Sequence, residues 1–284
     1  MFPLKLDKSI KKEKVYIKTK TGIKIPAIVL ISKNRKENEL SPGVLWIHGG
    51  GYFVGMKEMV YMSRAINLVK NFNAVVISPG YRLAPLHPYP AAINDCYDAL
   101  LYMLENADKY NINKDQIMVG GESAGGGLAI ALTYMARDKK EVNIAYQMPL
   151  YPMIDNLDTI TSKDNHGKVW NTKRNHFGWK MYLRKDAKKE DLEPYASPAR
   201  QKDYSCLPPA YTFVGNGEPF YEETRIYIEN LKKNGIEASM DVYSTNIHAF
   251  DILKPSLDIS KEAVKKFDEQ FRYAKDHYFA KNSN

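Results

Sequence analysis

Short apolar or alternating runs recur along the chain at 14–20 (KVYIKTK), 23–31 (IKIPAIVLI), 43–47 (GVLWI), 74–78 (AVVIS), 116–120 (QIMVG), 144–149 (IAYQMP), 210–214 (AYTFV) and 238–243 (ASMDVY), and each reads as a strand. Thr21-Gly22 separates the first two, a turn signal that predicts an antiparallel hairpin. The later strands are separated by stretches of helical character near 58–71, 91–107, 124–138, 221–234 and 260–279. The fourth closes on Lys232, Lys233 and Gly235, with basic charge on the last carbonyls and a residue that tolerates a left-handed cap. The fifth puts Ala263, Phe267, Phe271 and Ala274 on one face. Strands alternating with helices predict an α/β architecture, an eight-stranded, mostly parallel sheet flanked by helices on both faces. Residues 155–209 break the alternation. They are polar and basic, with isolated aromatics at Trp170, Phe177, Trp179, Tyr182 and Tyr195, and read as a helical lid inserted into one domain spanning 1–284.

Composition narrows the class. With 44% apolar and 26% charged residues the chain can bury a core and is neither disordered nor fibrous. No apolar run approaches the ~18 residues of a membrane-spanning helix, and the lysine-interrupted N-terminus lacks the apolar stretch of a secretory signal, so a cytoplasmic protein without integral membrane association is expected. The net charge of +8 is spread as short lysine groups beside acids such as Glu13, Glu141, Glu190 and Glu229, a solvated surface rather than a nucleic-acid footprint. Two cysteines, Cys96 and Cys206, with no histidine at zinc spacing, indicate neither a disulfide framework nor a metal site.

Gly121-Glu122-Ser123-Ala124-Gly125 fits G-x-S-x-G directly between a strand and a helix, where a tight turn projects the serine at the end of a sheet. Roughly 0.05 such matches are expected by chance from the Ser and Gly content. Ser123 is the candidate nucleophile, at a helix N-terminus that favours developing negative charge. Upstream, His48-Gly49-Gly50-Gly51-Tyr52-Phe53 follows another strand, and its bare backbone can complete an oxyanion hole from the N–H groups of Gly50 and Gly51 with that of Ala124. Tyr52 and Phe53, beside that loop, are candidates for substrate contact, with packing as their plainer role.

A serine hydroxyl needs a base, and an acid to orient it, in the chain order nucleophile, acid, histidine. His166 and His176 lie in the insertion and His277 in the terminal helix, which leaves His248, in the loop after the last strand. For the acid, Glu218 in Gly215-Asn216-Gly217-Glu218-Pro219 follows a strand at the same edge and is preferred, with Asp155, after the strand ending near Pro149, as its rival. Asp251 is too close to His248 in sequence to orient its ring. Arg82 and Asp95 are read as an ion-paired support in a proline-rigid crossover.

Three linked segments, HGGGYFVG at 48–55, YRLAPLHPYPAAINDC at 81–96 and GESAGGGLA at 121–129, resemble the hormone-sensitive-lipase-like branch of the α/β-hydrolases, the bacterial carboxylesterases with an HGGG loop. The resemblance runs from about Gly43 to the C-terminus. It implies the α/β-hydrolase fold, with Ser123 as nucleophile, His248 as base and Gly50, Gly51 and Ala124 as oxyanion donors. This chain departs from the family in having Glu218-Pro219-Phe220 in place of D-P-L, Glu122 in place of Asp, and Ala249 in place of Gly in H-G-F. The 47 residues before HGGG are fewer than in many relatives, which implies a reduced lid and a more open pocket. A carboxylesterase acting on small, short-chain acyl esters is expected, with no cofactor or metal. An amide-cleaving relative and a ligand-binding protein without turnover stay open as alternatives, and by analogy so does a homodimer through the last strand and helix.

Overall fold

A computed structural model describes residues 6–36 and 38–280. The eight strands are β1 (Ile10–Lys18), β2 (Lys24–Ser32), β3 (Ser41–Ile47), β4 (Val75–Pro79), β5 (Ile112–Glu122), β6 (Tyr146–Leu150), β7 (Ala210–Gly215) and β8 (Ala238–Tyr243). They form one sheet in the order β1-β2-β4-β3-β5-β6-β7-β8. β1 and β2 pair antiparallel across the Thr19–Gly22 turn, where Gly22 takes a φ of +83°, and β2 runs antiparallel to β4. Every pairing from β4 to β8 is parallel. β1 starts four residues before its sequence-based limit because its lysines alternate with inward residues on an edge strand, where charge blunts pairing with other chains.

The helices are α1 (Ala65–Phe72), α2 (Ala91–Glu105), α3 (Ala107–Tyr110), α4 (Ala124–Lys139), α5 (Thr172–Leu183), α6 (Tyr221–Lys233), α7 (Phe250–Leu253) and α8 (Asp258–His277). Successive strand residues face opposite layers: Leu45, Val75 and Val119 pack with α2 and α4 residues Leu100, Leu128 and Leu132, while Val44, Val76 and Met118 pack with Leu68 of α1 and Phe267 and Phe271 of α8. Both faces are buried, as a parallel sheet requires. Arg82 and Asp95 form the expected pair, at 2.7 Å, with Asp95 also accepting the Arg82 backbone N–H. Among the described residues no helix is long and apolar enough to cross a membrane.

Residues 155–209 contain one α-helix, α5, with 3-10 turns at 184–186 and 198–200. The segment is less helical than its sequence suggested. Thr159, Asn165, Asn171 and Thr172 spend their side chains on nearby backbone groups, which fixes turns instead of helix. Because β3, β5, β7 and β8 run parallel, the loops that follow them emerge at one sheet edge, where distant candidate residues meet.

Candidate active site

Ser123 sits between the last residue of β5 and the first of α4, at φ +56° and ψ −120°. Such a conformation costs a non-glycine residue about 1–3 kcal/mol and needs its surroundings to hold it. Its N–H donates to Leu150 O, and its carbonyl accepts the N–H groups of Gly127 and Met153, all at 3.0 Å. The turn closes only because its flanks lack side chains. A Cβ would stand 2.4 Å from Ile47 O at Gly121, and 2.1 Å from the same oxygen at Gly125.

The glycine loop lies against this turn. A Cβ on Gly49 would be 3.3 Å from Ser123 Cβ. Gly50 takes φ +119°, and its carbonyl accepts the N–H groups of Phe53 and Val54 at 3.1 and 3.0 Å. The N–H groups of Gly50 and Gly51 find no carbonyl acceptor among the described residues, and Ala124 N is at a first helical position that has none within its helix. His48 Nδ1 lies 2.8 Å from Gly49 O and its ring stacks on Tyr81 at 4.3 Å; burial pushes its pKa down to about 4, so it is a neutral brace for the loop. In Gly50→Ala the new methyl would meet Val54 O at 1.9 Å in a φ that L residues avoid. We expect kcat to fall about 10²–10³-fold, the scale of losing one oxyanion donor. Steady-state kinetics with circular dichroism as the folding control checks this, and an unchanged kcat would contradict the loop's assignment.

His248 follows β8 and Glu218 follows β7. The Glu218 carboxylate accepts from His248 Nδ1 through Oε2, and from the Gly215 N–H at 2.6 Å through Oε1. Both side chains are buried, so solvent does not compete for the contact. The longer acid curls back toward its own strand: a Cβ on Gly215 would be 3.2 Å from Glu218 Oε1. Tyr151 and Phe220 hold the imidazole edge-on, each at 5.0 Å, and Trp170 flanks it at 6.3 Å. With Nδ1–H given to Glu218, Nε2 keeps the lone pair.

Asp155 is engaged elsewhere. It pairs with Arg200 and accepts the Leu157 N–H, while neighbouring Glu223 accepts the N–H groups of Ile154 and Asp155. Asp251 accepts the Tyr151 hydroxyl at 2.9 Å and pairs with Arg64 at 3.0 Å. Among the described residues no hydrogen bond joins Ser123 Oγ to His248. Catalytic hydrogen bonds of this kind are often long or poorly aligned and tighten in the substrate complex. The two are tied through common neighbours: Tyr151, whose ring meets His248, lies between Leu150 and Met153, both bonded to the Ser123 backbone.

Tyr52 corrects its sequence reading. It is 1% exposed, stacks on Tyr182 at 4.1 Å and donates its hydroxyl to Met153 O, so it packs the core rather than facing a ligand. Phe53 stays partly exposed. Sequence reasoning gave no site role to Trp170, Tyr151 or Phe220. For Trp170 the available signal was a large aromatic isolated among polar residues of the insertion, since a side chain of that size needs a partner surface.

Glu122, beside Ser123, is buried and accepts Trp46 Nε1 on both oxygens at 2.9 Å. Burial first, and then the nearby Asp251 charge, raise its pKa to about 8 from an ordinary 4.5. A carboxyl that holds its proton longer when folded contributes stability that is complete below about 4.5 and is lost as pH rises through about 8. Glu122→Gln removes that loss. Relative to wild type, the variant's Tm is expected to gain about 5 °C or more between about pH 5.5 and about pH 9. Scanning calorimetry at both pH values reads this, and a constant difference would contradict it.

The sequence profile of a family described as alpha/beta hydrolase fold matches residues 44–252. An arylesterase of Saccharolobus solfataricus is 32% identical over 211 residues, covering 73% of this chain and 67% of that one. Among solved structures, a Pyrobaculum calidifontis esterase superposes with a TM-score of 0.83 at 33% identity over 93% of this chain and 85% of its own. A bacterial heroin esterase superposes with a TM-score of 0.89 at 26% identity, over 94% and 85%. The chain belongs to the alpha/beta hydrolase fold family and groups with its carboxylesterases.

Proposed function

We propose that this carboxylic ester hydrolase works through a Ser123–His248–Glu218 triad on small, short-chain acyl esters. Ser123 Oγ attacks the ester carbonyl as its proton passes to His248 Nε2, and Glu218 stabilises the imidazolium through Nδ1–H. The N–H groups of Gly50, Gly51 and Ala124 receive the oxyanion, each donor worth about 3 kcal/mol in the transition state. The tetrahedral species collapses as His248 returns the proton to the leaving alkoxide, freeing the alcohol and leaving Ser123 acylated. A water molecule then attacks, its proton passing to His248 and on to Ser123 Oγ, and the carboxylic acid departs.

The observation that supports this reading most is the buried Glu218–His248 hydrogen bond at the sheet edge that also carries Ser123 and the glycine loop. Residues 155–209 serve in this reading as a lid whose Trp170 walls the site. A p-nitrophenyl ester series tests the substrate class: kcat/KM should peak at two to four acyl carbons (about the size of acetate to butyrate) and fall at longer chains. Equal or faster turnover of matched anilides would favour the amide-cleaving alternative. Among the described residues β8 pairs with β7 alone, so it offers its other edge for the homodimer, which sedimentation analysis distinguishes from a monomer.

A further inference from the structure

Four aromatic rings form a path from the His248 imidazole toward the surface. Phe220 meets the imidazole edge-on, Trp170 lies 6.3 Å from both, Phe53 lies 6.3 Å from Trp170, and Phe177 meets Phe53 edge-on at 5.0 Å. Exposure rises along the path, from 0% at Phe220 through 9% at Trp170 to 48% at Phe177. Trp170 is its hinge point, because it also covers the glycine loop: a methyl on Gly51 would stand 2.3 Å from Trp170 Cη2. Its indole N–H points to Asn175 Oδ1 at 3.4 Å, so what it presents along the path is apolar ring surface.

Acyl-transfer geometry says which half of a substrate meets these rings. The leaving oxygen must come within hydrogen-bond reach of the imidazole that protonates it, so the alcohol half lies on the His248 side. The acyl half points away from it. Trp170 touches the oxyanion loop and flanks His248, which is the alcohol side. Flat aromatic groups gain from offset and edge contacts with such rings, and a saturated group of the same size gains only its burial.

We propose that Trp170 is the specificity-determining residue for the leaving group, selecting a flat alcohol half over a saturated one of the same size. This rests on the esterase mechanism proposed above. The test compares wild type, Trp170→Leu and Trp170→Phe on phenyl acetate, cyclohexyl acetate and phenyl hexanoate. The phenyl-to-cyclohexyl ratio of kcat/KM should fall about 10-fold in Trp170→Leu, the upper range of one aromatic contact, and recover most of the way in Trp170→Phe. The hexanoate-to-acetate ratio should hold within about 2-fold. Ratios taken on one preparation cancel any loss of folded enzyme. An unchanged phenyl-to-cyclohexyl ratio overturns the proposal, and so does a shift in the hexanoate-to-acetate ratio instead, which would put Trp170 on the acyl side. Either result leaves the triad standing. Absence of turnover by wild type on all three esters would overturn the mechanism and this proposal together.

Discussion

Ser123→Ala should lower kcat toward p-nitrophenyl acetate by about 10⁴–10⁶-fold, while the variant folds and melts within about 2 °C of wild type. The size follows from the chemistry: without Oγ no acyl-enzyme forms, and only oxyanion stabilisation and binding remain to assist water. The small stability change follows from the backbone. The turn at Ser123 is held by its own N–H and carbonyl, bonded to Leu150, Gly127 and Met153, and by the missing side chains of Gly121 and Gly125. Alanine keeps all of these. A decrease of less than about 100-fold would mean that another group carries the reaction.

The second large effect separates the two candidate acids. Glu218→Gln should lower kcat by about 10²–10⁴-fold, because an amide cannot stabilise the imidazolium and can turn its NH₂ toward Nδ1, fixing the wrong tautomer. Asp155→Asn should cost less than about 10-fold in kcat, since its carboxylate is committed to Arg200 and the Leu157 N–H rather than to an imidazole. Steady-state kinetics on both variants measures the contrast. A larger kcat loss in Asp155→Asn would exchange their roles.

The sheet was legible because parallel strands buried on both faces leave continuous apolar runs, such as GVLWI and AVVIS, and the helices between them carry periodic faces. The limits of β1 were harder to read, since its lysine-rich start pairs through backbone rather than through apolar side chains. The proposed triad of Ser123, His248 and Glu218 was legible as a set of candidates because each follows a strand at one edge, and the fold's chain order narrows which histidine and acid to consider. The surroundings of the imidazole were not legible. Trp170 reaches His248 from an insertion whose path depends on side-chain-to-backbone bonds from Thr159, Asn165, Asn171 and Thr172, and such bonds have no period in sequence. Tyr52 misled for a related reason: its neighbour in sequence is the glycine loop, but its neighbours in space are Tyr182 and Met153. Glu122 looked like an exchange of one acid for another, and its raised pKa arises from burial beside Trp46 and Asp251, which only tertiary structure supplies.

The most direct test of the central claim is to treat wild type, Ser123→Ala and His248→Ala with a fluorophosphonate and map the adduct by tandem mass spectrometry. One adduct per wild-type chain is expected, on Ser123 Oγ, with none in Ser123→Ala and labelling slowed at least about 100-fold in His248→Ala, where no base takes the proton. Stoichiometric labelling at any other residue, or labelling that proceeds undiminished in Ser123→Ala, would contradict the central claim.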